Sequence, residues 1–359
     1  MEFAYRFPVV RGIQANSEYF IAMVPLKMLS KLFPDTEEYV APEYRAQRKL
    51  NTGRIPVMCK YITDNRNSYV FSALAASIDG EYIFSPSNEK GDLGVLEVSM
   101  DATLLINDGQ HRKAAIIEAL KEDASLQTET ISVVFYGDKG LERSQQMFTD
   151  LNKHAVKTSN SIAELYDSRD ELAVITRRVI QKNTFLNAYT DKEKDILGKY
   201  SSNLFTLSTL YNANRRIVRG KLITDTPEEF LNQYWEAVVQ NVTPWQELVR
   251  REISKVELRE NYIATQSVII QVLGRLGNYF YLHPEVDFKA YLENLRNVTW
   301  LRSDPLWKER AIRDNGRMIN NEEAIILTCN ALKRELNIPF DEFENKKERA
   351  FAHKVNGHG

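Results

Sequence analysis

The sequence predicts an α+β protein in which a mixed α/β core is followed by a mostly α-helical part. Through the first 160 residues, short apolar runs alternate with turn residues, a pattern typical of mixed strands and helices. From about residue 162, apolar residues recur at helical spacing, for example Leu172, Ile175 and Val179. The length of 359 residues suffices for two domains. We therefore expect an α+β domain over 1–160, a helical domain over 161–340 and a flexible charged tail over 341–359.

Apolar runs bounded by turn residues predict the strands, at 7–13, 19–24, 70–78, 94–98, 103–106 and 131–136. Helices are expected between them at 26–33, where Pro34 ends the run, and at 110–122 and 142–152. The stretch 43–65 is expected to form two helices, because Gly53 interrupts its pattern.

The second half is expected to consist of helices at 163–181, 195–219, 227–242, 256–282, 287–295 and 322–336. Pro227 suits the first turn of its helix, and Thr226 is placed to cap it. No repeat period is visible, so the sequence does not favour a solenoid.

The composition argues against several classes of protein. Hydrophobic residues make up 43% and charged residues 27%, as in ordinary globular proteins. No stretch approaches the roughly 20 apolar residues that span a membrane, and the N-terminus lacks the pattern of a signal peptide. Cys59 and Cys329 lie far apart and lack CxxC spacing, which favours a reducing cytoplasm over a disulfide scaffold. The five histidines are scattered, so we expect no metal site.

Charge is distributed unevenly along the chain. Residues 1–150 contain 16 Lys or Arg and 21 Asp or Glu, a net charge of −5, although the whole chain has only −2. Residues 151–221 contain 13 basic and 7 acidic side chains, a net charge of +6. Such a segment favours either an anion-binding face or a well-solvated helical surface, and charge alone does not separate the two.

The most informative stretch is Ile106-Asn107-Asp108-Gly109-Gln110-His111-Arg112-Lys113-Ala114-Ala115. Here a strand ends, a glycine allows a tight turn and a helix begins, so free backbone N–H groups favour an anion. Arg112 is able to grip a phosphate with two hydrogen bonds, and His111 adds a donor. Asp108 is placed to cap the helix, to hold Arg112, or to position a metal or water. The alternative is a network of Asp108 and Arg112 that only stabilises the fold.

At these residues the chain resembles the DndB family, whose members are encoded with DNA phosphorothioation genes. Residues 108–112 spell the DGQHR signature of that family. Supporting stretches occur in the expected order at 45–51, 54–56 and 70–74 before the motif, and at 148–155 after it. The resemblance covers about residues 5–165, and the helical remainder matches in general character.

The resemblance implies a core similar to ParB and sulfiredoxin domains, in which the corresponding corner binds nucleotide phosphates. Carried onto this chain, the phosphate-facing candidates are Asp108, Gly109, Gln110, His111 and Arg112. Sulfiredoxin-like proteins have a cysteine in that corner, whereas this chain has Gln110, which argues against thiol redox chemistry.

Four residues are candidates for a supporting role at the corner. Gln47 and Arg48 lie in the matching stretch before the motif, and Asn152 and Lys153 lie in the one after it. The alternative for the second pair is a helix C-terminus whose last carbonyl groups these side chains satisfy.

A second candidate site lies at the end of a predicted helix, where Arg215, Arg216, Arg219 and Lys221 cluster. Basic residues at this position complement the helix dipole, which is a purely structural role. They are also spaced to follow a DNA backbone over about one helical turn.

Three functions remain open at this point. The resemblance implies a cytoplasmic DNA-binding repressor of a phosphorothioation gene cluster, which needs no cofactor and binds double-stranded promoter DNA. The second is a ParB-like hydrolase of ATP or CTP with Mg²⁺, in which Asp108 is the candidate catalytic residue. The third is a module that docks on other Dnd proteins. Association with a second copy of the chain is compatible with all three.

Overall fold

The computed structural model describes residues 3–34, 51–89, 91–137, 146, 158–198, 200–220 and 227–356. Contacts within the chain divide it into two compact units, Met1–Val156 and Lys157–Gly359. The sequence places this boundary at residue 160. The two units are called the N-terminal unit and the C-terminal unit below.

The described residues of the N-terminal unit form one seven-stranded sheet, β4-β5-β1-β2-β7-β3-β6. Its strands are β1 Ala4–Gln14, β2 Ser17–Pro25, β3 Leu74–Asp79, β4 Tyr82–Pro86, β5 Leu93–Ser99, β6 Thr103–Asp108 and β7 Thr130–Gly137. All neighbours are antiparallel except β3 and β7. The helices are α1 Leu29–Leu32, α2 Ile55–Asp64 and α3 Gln110–Glu122, with 3₁₀ turns at Leu26–Met28, Thr52–Arg54 and Ala124–Thr128.

The sheet has an apolar inner face because side chains on a strand alternate between its two faces. Every second residue of β2 is buried from Phe20 to Val24, and the register pairs Phe20 with Phe135 of β7. Helix α3 adds Ile116 and Ala119 to the same hydrophobic core. Burial of this face holds α3 against the sheet.

Most predicted elements of this unit are confirmed. Helix α3 has the predicted bounds, and both first strands are longer than predicted. Strand β4 was missed, because Pro86 and its neighbours are typical of a turn. The strand predicted at 70–78 begins only at Leu74. Residues 35–50 and the helix predicted at 142–152 lie outside the described residues, apart from Gln146.

The C-terminal unit is mostly helical, as predicted. Its described helices are α4 Asn160–Tyr166, α5 Glu171–Lys182, α6 Thr184–Tyr189, α7 Leu207–Ile217, α8 Pro227–Asn241, α9 Thr243–Val249, α10 Lys255–Asn261, α11 Ser267–Leu282, α12 Phe288–Leu292, α13 Glu322–Glu335 and α14 Glu342–Asn356. Short 3₁₀ turns lie at Glu293–Asn297 and Pro305–Trp307. The strands are the two-residue pair β8 Thr190–Asp191 and β9 Phe205–Thr206.

Several predicted helices are shorter or broken. The helix predicted at 256–282 is divided into α10 and α11, and the helix predicted at 287–295 into α12 and a 3₁₀ turn. Capping residues explain two further cases. Helices α4 and α5 replace a single predicted helix, because Asp170 accepts a hydrogen bond from the Ala173 N–H and starts a new helix. The helix predicted at 195–219 begins only at Leu207, where the Thr206 side chain accepts a hydrogen bond from the Thr209 N–H. Periodicity finds apolar faces but does not show where a cap interrupts them.

A polar network is built into the core of this unit. Trp235 is buried, and its indole N–H donates to Asn214 Oδ1 at 2.7 Å. Asn214 Nδ2 donates in turn to Thr176 Oγ1 at 3.0 Å. These bonds satisfy buried polar groups and tie α5, α7 and α8 together.

Most of the segment for which the sequence predicts a flexible tail is helix α14. The Glu344 N–H donates to Asp341 Oδ1 at 2.7 Å, and the Asp341 N–H donates to Glu344 Oε2 at 3.1 Å. This reciprocal arrangement is a capping box, which starts a helix. The spacing of Asp341 and Glu344 is visible in the sequence, but a charged segment that ends in Gly and His residues favours a tail. Residues 357–359 lie outside the described part.

Gly274 of α11 permits the close approach of α7. A Cβ at this position would lie 2.8 Å from the Ala213 carbonyl oxygen. We expect Gly274→Ala to lower the free energy of unfolding by about 1–2 kcal/mol, because overpacking outweighs the better helix propensity of alanine. Gly198→Ala is the control, since a Cβ at Gly198 has nothing within 4 Å. Urea denaturation checks this, and a variant as stable as the parent would show that the two helices do not need a glycine.

Candidate functional site

The DGQHR motif forms a corner between β6 and α3. Asp108 ends the strand, and Gly109 has a φ of 103°, a left-handed conformation that favours glycine. A Cβ on Gly109 would also clash with Leu74 Cδ2. Gly109 is the N-cap residue of α3, and no side chain caps this helix. The corner therefore requires glycine both for its backbone and for its packing.

Arg112 is the hub of this corner. Its Nη1 donates to the carbonyl oxygens of Ser72 at 2.8 Å and Ala73 at 2.7 Å, and also to Ser72 Oγ. Its Nη2 forms an ion pair with Asp108 Oδ2 at 2.5 Å. The Arg112 side chain is only 14% exposed. The guanidinium thus fastens the segment before β3 to the start of α3, and most of its donors are already in use.

Of the roles open to Asp108, the structure shows the ion pair with Arg112. The N-cap position belongs to Gly109, one residue further on. The Asp108 side chain is 43% exposed, so part of its carboxylate faces solvent.

The other two motif side chains also have partners in the N-terminal unit. Gln110 Nε2 donates to the Ile106 carbonyl oxygen at 3.5 Å. His111 Nε2 accepts a hydrogen bond from the Asn51 N–H at 3.1 Å, which requires a neutral ring. Burial lowers the pKa of His111 below its usual value of 6.5, and the positive charge of Arg54 lowers it further. His111 is therefore mostly neutral near pH 7.

The arginine cluster at the end of α7 divides into one paired and two outward-facing side chains. Arg216 Nη1 and Nη2 donate to the two carboxylate oxygens of Glu322 at 2.9 and 2.7 Å, and Arg216 Nε donates to Gln271 Oε1 at 2.9 Å. Arg215 and Arg219 are exposed. Neither has an ion-pair partner among the residues that the structure describes.

These arginines line a polar cleft of about 1180 Å³ in the C-terminal unit. Hydroxyl and amide side chains from α7, α11 and the start of α13 line the same cleft, among them Ser208, Thr209, Asn212, Ser267, Asn320 and Asn321. The carboxylates of Asp195 and Glu322 also line the cleft, and Glu322 is paired with Arg216. The exposed Arg215 and Arg219, together with the hydroxyl and amide groups, offer hydrogen-bond donors to an anionic ligand.

Glu164 is a partly buried carboxyl near the arginine cluster. Burial, together with the charges of Asp195 and Asp170, raises the pKa of Glu164 to about 7, although Arg215 opposes the shift. Glu164 Oε2 is buried without a hydrogen-bond partner. Because this carboxyl is partly protonated at neutral pH, it neutralises Arg215 only in part.

Several residues predicted to belong to a site cannot be placed. Gln47 and Arg48, the supporting pair Asn152 and Lys153, and Lys221 of the basic cluster all lie outside the described residues.

Cysteine chemistry finds no support in either unit. Cys59 and Cys329 are both free and buried. Burial raises the pKa of the Cys59 thiol, and the charge of Glu122 adds to the effect. Burial raises the pKa of Cys329 to about 12. Both thiols are therefore neutral, whereas a nucleophilic cysteine needs its thiolate form.

The described residues contain no group of three or more His, Cys, Asp or Glu side chains placed to hold a metal ion. None of the helices among them is long and apolar enough to cross a membrane.

A family model described as DndB, DNA-sulfur modification-associated, matches residues 7–339 of the 359-residue chain. The chain belongs to the DndB family. The match includes the DGQHR corner and the helices that carry the arginine cluster, so it extends well beyond the 5–165 that the sequence resemblance covered. Membership in the DndB family means involvement in DNA sulfur modification, with DNA and other Dnd proteins as its context.

No curated protein and no solved structure matches the chain. The likeness of the DndB core to ParB and sulfiredoxin domains therefore stays a prediction.

The sequence did not reveal the partners that decide what each arginine in this DndB chain does. Ser72 and Ala73, which accept hydrogen bonds from Arg112, lie about 40 residues before it. Glu322, which pairs with Arg216, lies 106 residues after it. Helix α13 begins with Glu322 and Glu323, and this acidic first turn is visible in the sequence. The sequence does not show that Glu322 pairs with Arg216.

We expect Arg112→Lys to lower the free energy of unfolding by about 2 kcal/mol, because lysine lacks the planar fork that serves Asp108 and two carbonyl groups. Arg178→Lys is the matched control. Arg178 is 59% exposed and pairs with Glu228 at the surface, so we expect a change within about 0.5 kcal/mol. Thermal unfolding of both variants checks this. Equal melting temperatures for Arg112→Lys and the parent would show that the network is not structural.

Proposed function

We propose that this DndB-family protein binds double-stranded DNA and represses the transcription of a DNA phosphorothioation gene cluster. The observation that carries the proposal is the pair Arg215 and Arg219. Both are exposed and line a polar cleft; Arg215 lies in the last turn of α7, and Arg219 lies two residues after its end. Side chains in this arrangement are suited to successive phosphates of a DNA backbone.

The rigidity of the helix end supports this role. Arg216 is bonded to Glu322 and Gln271, and Asn278 Nδ2 of α11 donates to the carbonyl oxygens of Ile217 and Arg219 at 2.8 Å, so the end of α7 is held against α11. Arg215 and Arg219 are thereby presented from a fixed backbone, which reduces the entropy lost when they bind a phosphate. The arginine cluster thus combines one structural residue with two that are available to a ligand.

The DGQHR corner favours a second candidate, the binding of a nucleotide. The N-terminus of α3 lacks a side-chain cap, and its backbone N–H groups favour an anion. The commitment of Arg112 to Asp108, Ser72 and Ala73 counts against a phosphate grip by this side chain. Under this candidate, ATP or CTP with Mg²⁺ would be turned over, and Asp108→Asn would abolish the turnover.

The test of DNA binding is the double variant Arg215→Gln/Arg219→Gln, measured on duplex DNA from the promoter region of the modification genes. We expect affinity to fall by at least about tenfold at ~0.1 M salt. The dependence of log K on log salt should flatten by up to about 0.9 for each phosphate that the variant no longer neutralises. A reporter gene behind the same promoter should be derepressed.

The matched control is Arg250→Gln/Arg251→Gln, which removes the same charge from two exposed positions of the same unit. Repression and affinity should be close to those of the parent. Equal affinity losses in the two double variants would contradict a specific role of α7, and nucleotide turnover without any DNA binding would favour the second candidate.

A further inference from the structure

Helix α14 contributes no described side chain to the hydrophobic core of its unit. The last core residue is Ile338, just before the helix. Within the described side chains of α14, the buried one is Glu344, a carboxylate, while Phe343 is 49% exposed. Terminal helices usually dock through an apolar face. Helix α14 is therefore held mainly by polar contacts.

Two carboxylates provide those contacts. Glu344 accepts hydrogen bonds from Lys333 Nζ at 2.9 and 2.7 Å and from Arg275 Nη2 at 3.3 Å. Glu348 accepts two bonds from the guanidinium of Arg310, at 2.7 and 2.8 Å, and one from Arg334 Nη2 at 3.1 Å. Burial alone would raise the pKa of Glu348, but its bonds to Arg310 hold it below the usual value. The two carboxylates of Glu344 and Glu348 thus accept hydrogen bonds from four cationic side chains.

The cations and the carboxylates belong to different parts of the chain. The four cations Arg275, Arg310, Lys333 and Arg334 all lie within residues 7–339, the stretch that the DndB family model matches. Helix α14 begins at Glu342, after that stretch has ended. The cations therefore lie in the matched stretch, and the two carboxylates that pair with them lie shortly after its last matched residue.

One of the four cations, Arg275, lies near the arginine cluster. Glu322 is ionised at neutral pH, because its hydrogen bonds from Arg216 lower its pKa, and the charges of Arg275 and Arg219 lower it further. Arg275 is thus within electrostatic reach of the carboxylate that holds Arg216. A cleft of about 610 Å³ beside α14 is lined by Arg310, Leu327 and Phe351 among others, and the Arg310 guanidinium lies 4.3 Å from the centre of the Phe351 ring.

Helix α14 as a whole carries three Glu and four Lys or Arg, so only its inward-facing carboxylates oppose the cations. We propose that α14 is a strap, whose Glu344 and Glu348 stand where DNA phosphates bind when the strap is displaced. This inference rests on the proposed function, and it adds a second DNA contact surface that the chain itself blocks. Carboxylates and phosphates accept the same paired hydrogen bonds from arginine. An exchange of one for the other would keep each cation in contact with an anion and so would avoid the cost of leaving a buried charge unpaired.

The first test is Glu348→Gln in the full chain, with Glu342→Gln as the control. Both remove one negative charge from α14, but Glu342 is exposed and has no ion pair among the described residues. We expect Glu348→Gln to raise affinity for duplex DNA by about three- to tenfold at ~0.1 M salt and to steepen the salt dependence. Glu342→Gln should change affinity less than twofold. Equal gains would reflect net charge alone and would overturn the inference, as would the absence of a gain.

The second test leaves the cations and carboxylates unchanged. A protease site is placed between Phe340 and Asp341, the chain is folded intact and then cut, and circular dichroism confirms that the cut protein stays folded. We expect duplex DNA to release the α14 peptide and the cut protein to bind DNA more tightly than the uncut one. A peptide that stays bound at saturating DNA, with unchanged affinity, would overturn the strap.

The outcomes separate this inference from the proposed function. If DNA binding depends on Arg215 and Arg219 but is unaffected by Glu348→Gln and by cutting, the strap is ruled out and the proposed function stands. If binding is insensitive to Arg215 and Arg219 but is increased by cutting, the DNA contact at α7 is ruled out and the strap stands. If the chain binds no DNA before or after cutting, both are ruled out.

Discussion

The bidentate ion pair between Arg216 and Glu322 determines how the basic end of α7 is presented. It joins α7 to the start of α13, and the bond from Arg216 to Gln271 adds α11. An arginine with two parallel bonds to a carboxylate has a defined direction, unlike a lysine. The middle arginine is used in this way, whereas its neighbours Arg215 and Arg219 are exposed. The proposed DNA contact depends on this division of roles.

The same chemistry serves a different purpose in the DGQHR corner. Arg112 is turned inward to two backbone carbonyl groups and to Asp108. Gly109 supplies the left-handed backbone, and packing against Leu74 excludes a larger residue. A five-residue signature is thus explained in large part by the demands of one strand-to-helix corner. That explanation leaves the uncapped end of α3 as the feature through which the corner would act on a ligand.

The fold could be predicted from the sequence where local patterns decide it. Apolar runs bounded by turn residues located β1 and β2, and glycine followed by polar residues located the start of α3 at Gln110. The site could be predicted only in part. The types of residue that bind phosphate are visible, but whether an arginine faces solvent or a carbonyl group depends on residues 40 to 106 positions away. Sequence spacing does not report such contacts. Helix α14 was not predicted because its charged sequence lacks the apolar periodicity that indicates a helix, although its capping box was present.

Arginine therefore has two roles in this DndB chain: Arg112 and Arg216 form internal hydrogen bonds, and Arg215 and Arg219 are available to a ligand. Photo-crosslinking of the full chain to promoter DNA that contains 5-iodouracil, followed by mass spectrometry of the crosslinked peptides, separates the two most directly. The account predicts crosslinks within 205–220 and the neighbouring cleft of the C-terminal unit. Crosslinks confined to 51–64 and 108–122 would contradict it, because they would place the DNA at the DGQHR corner.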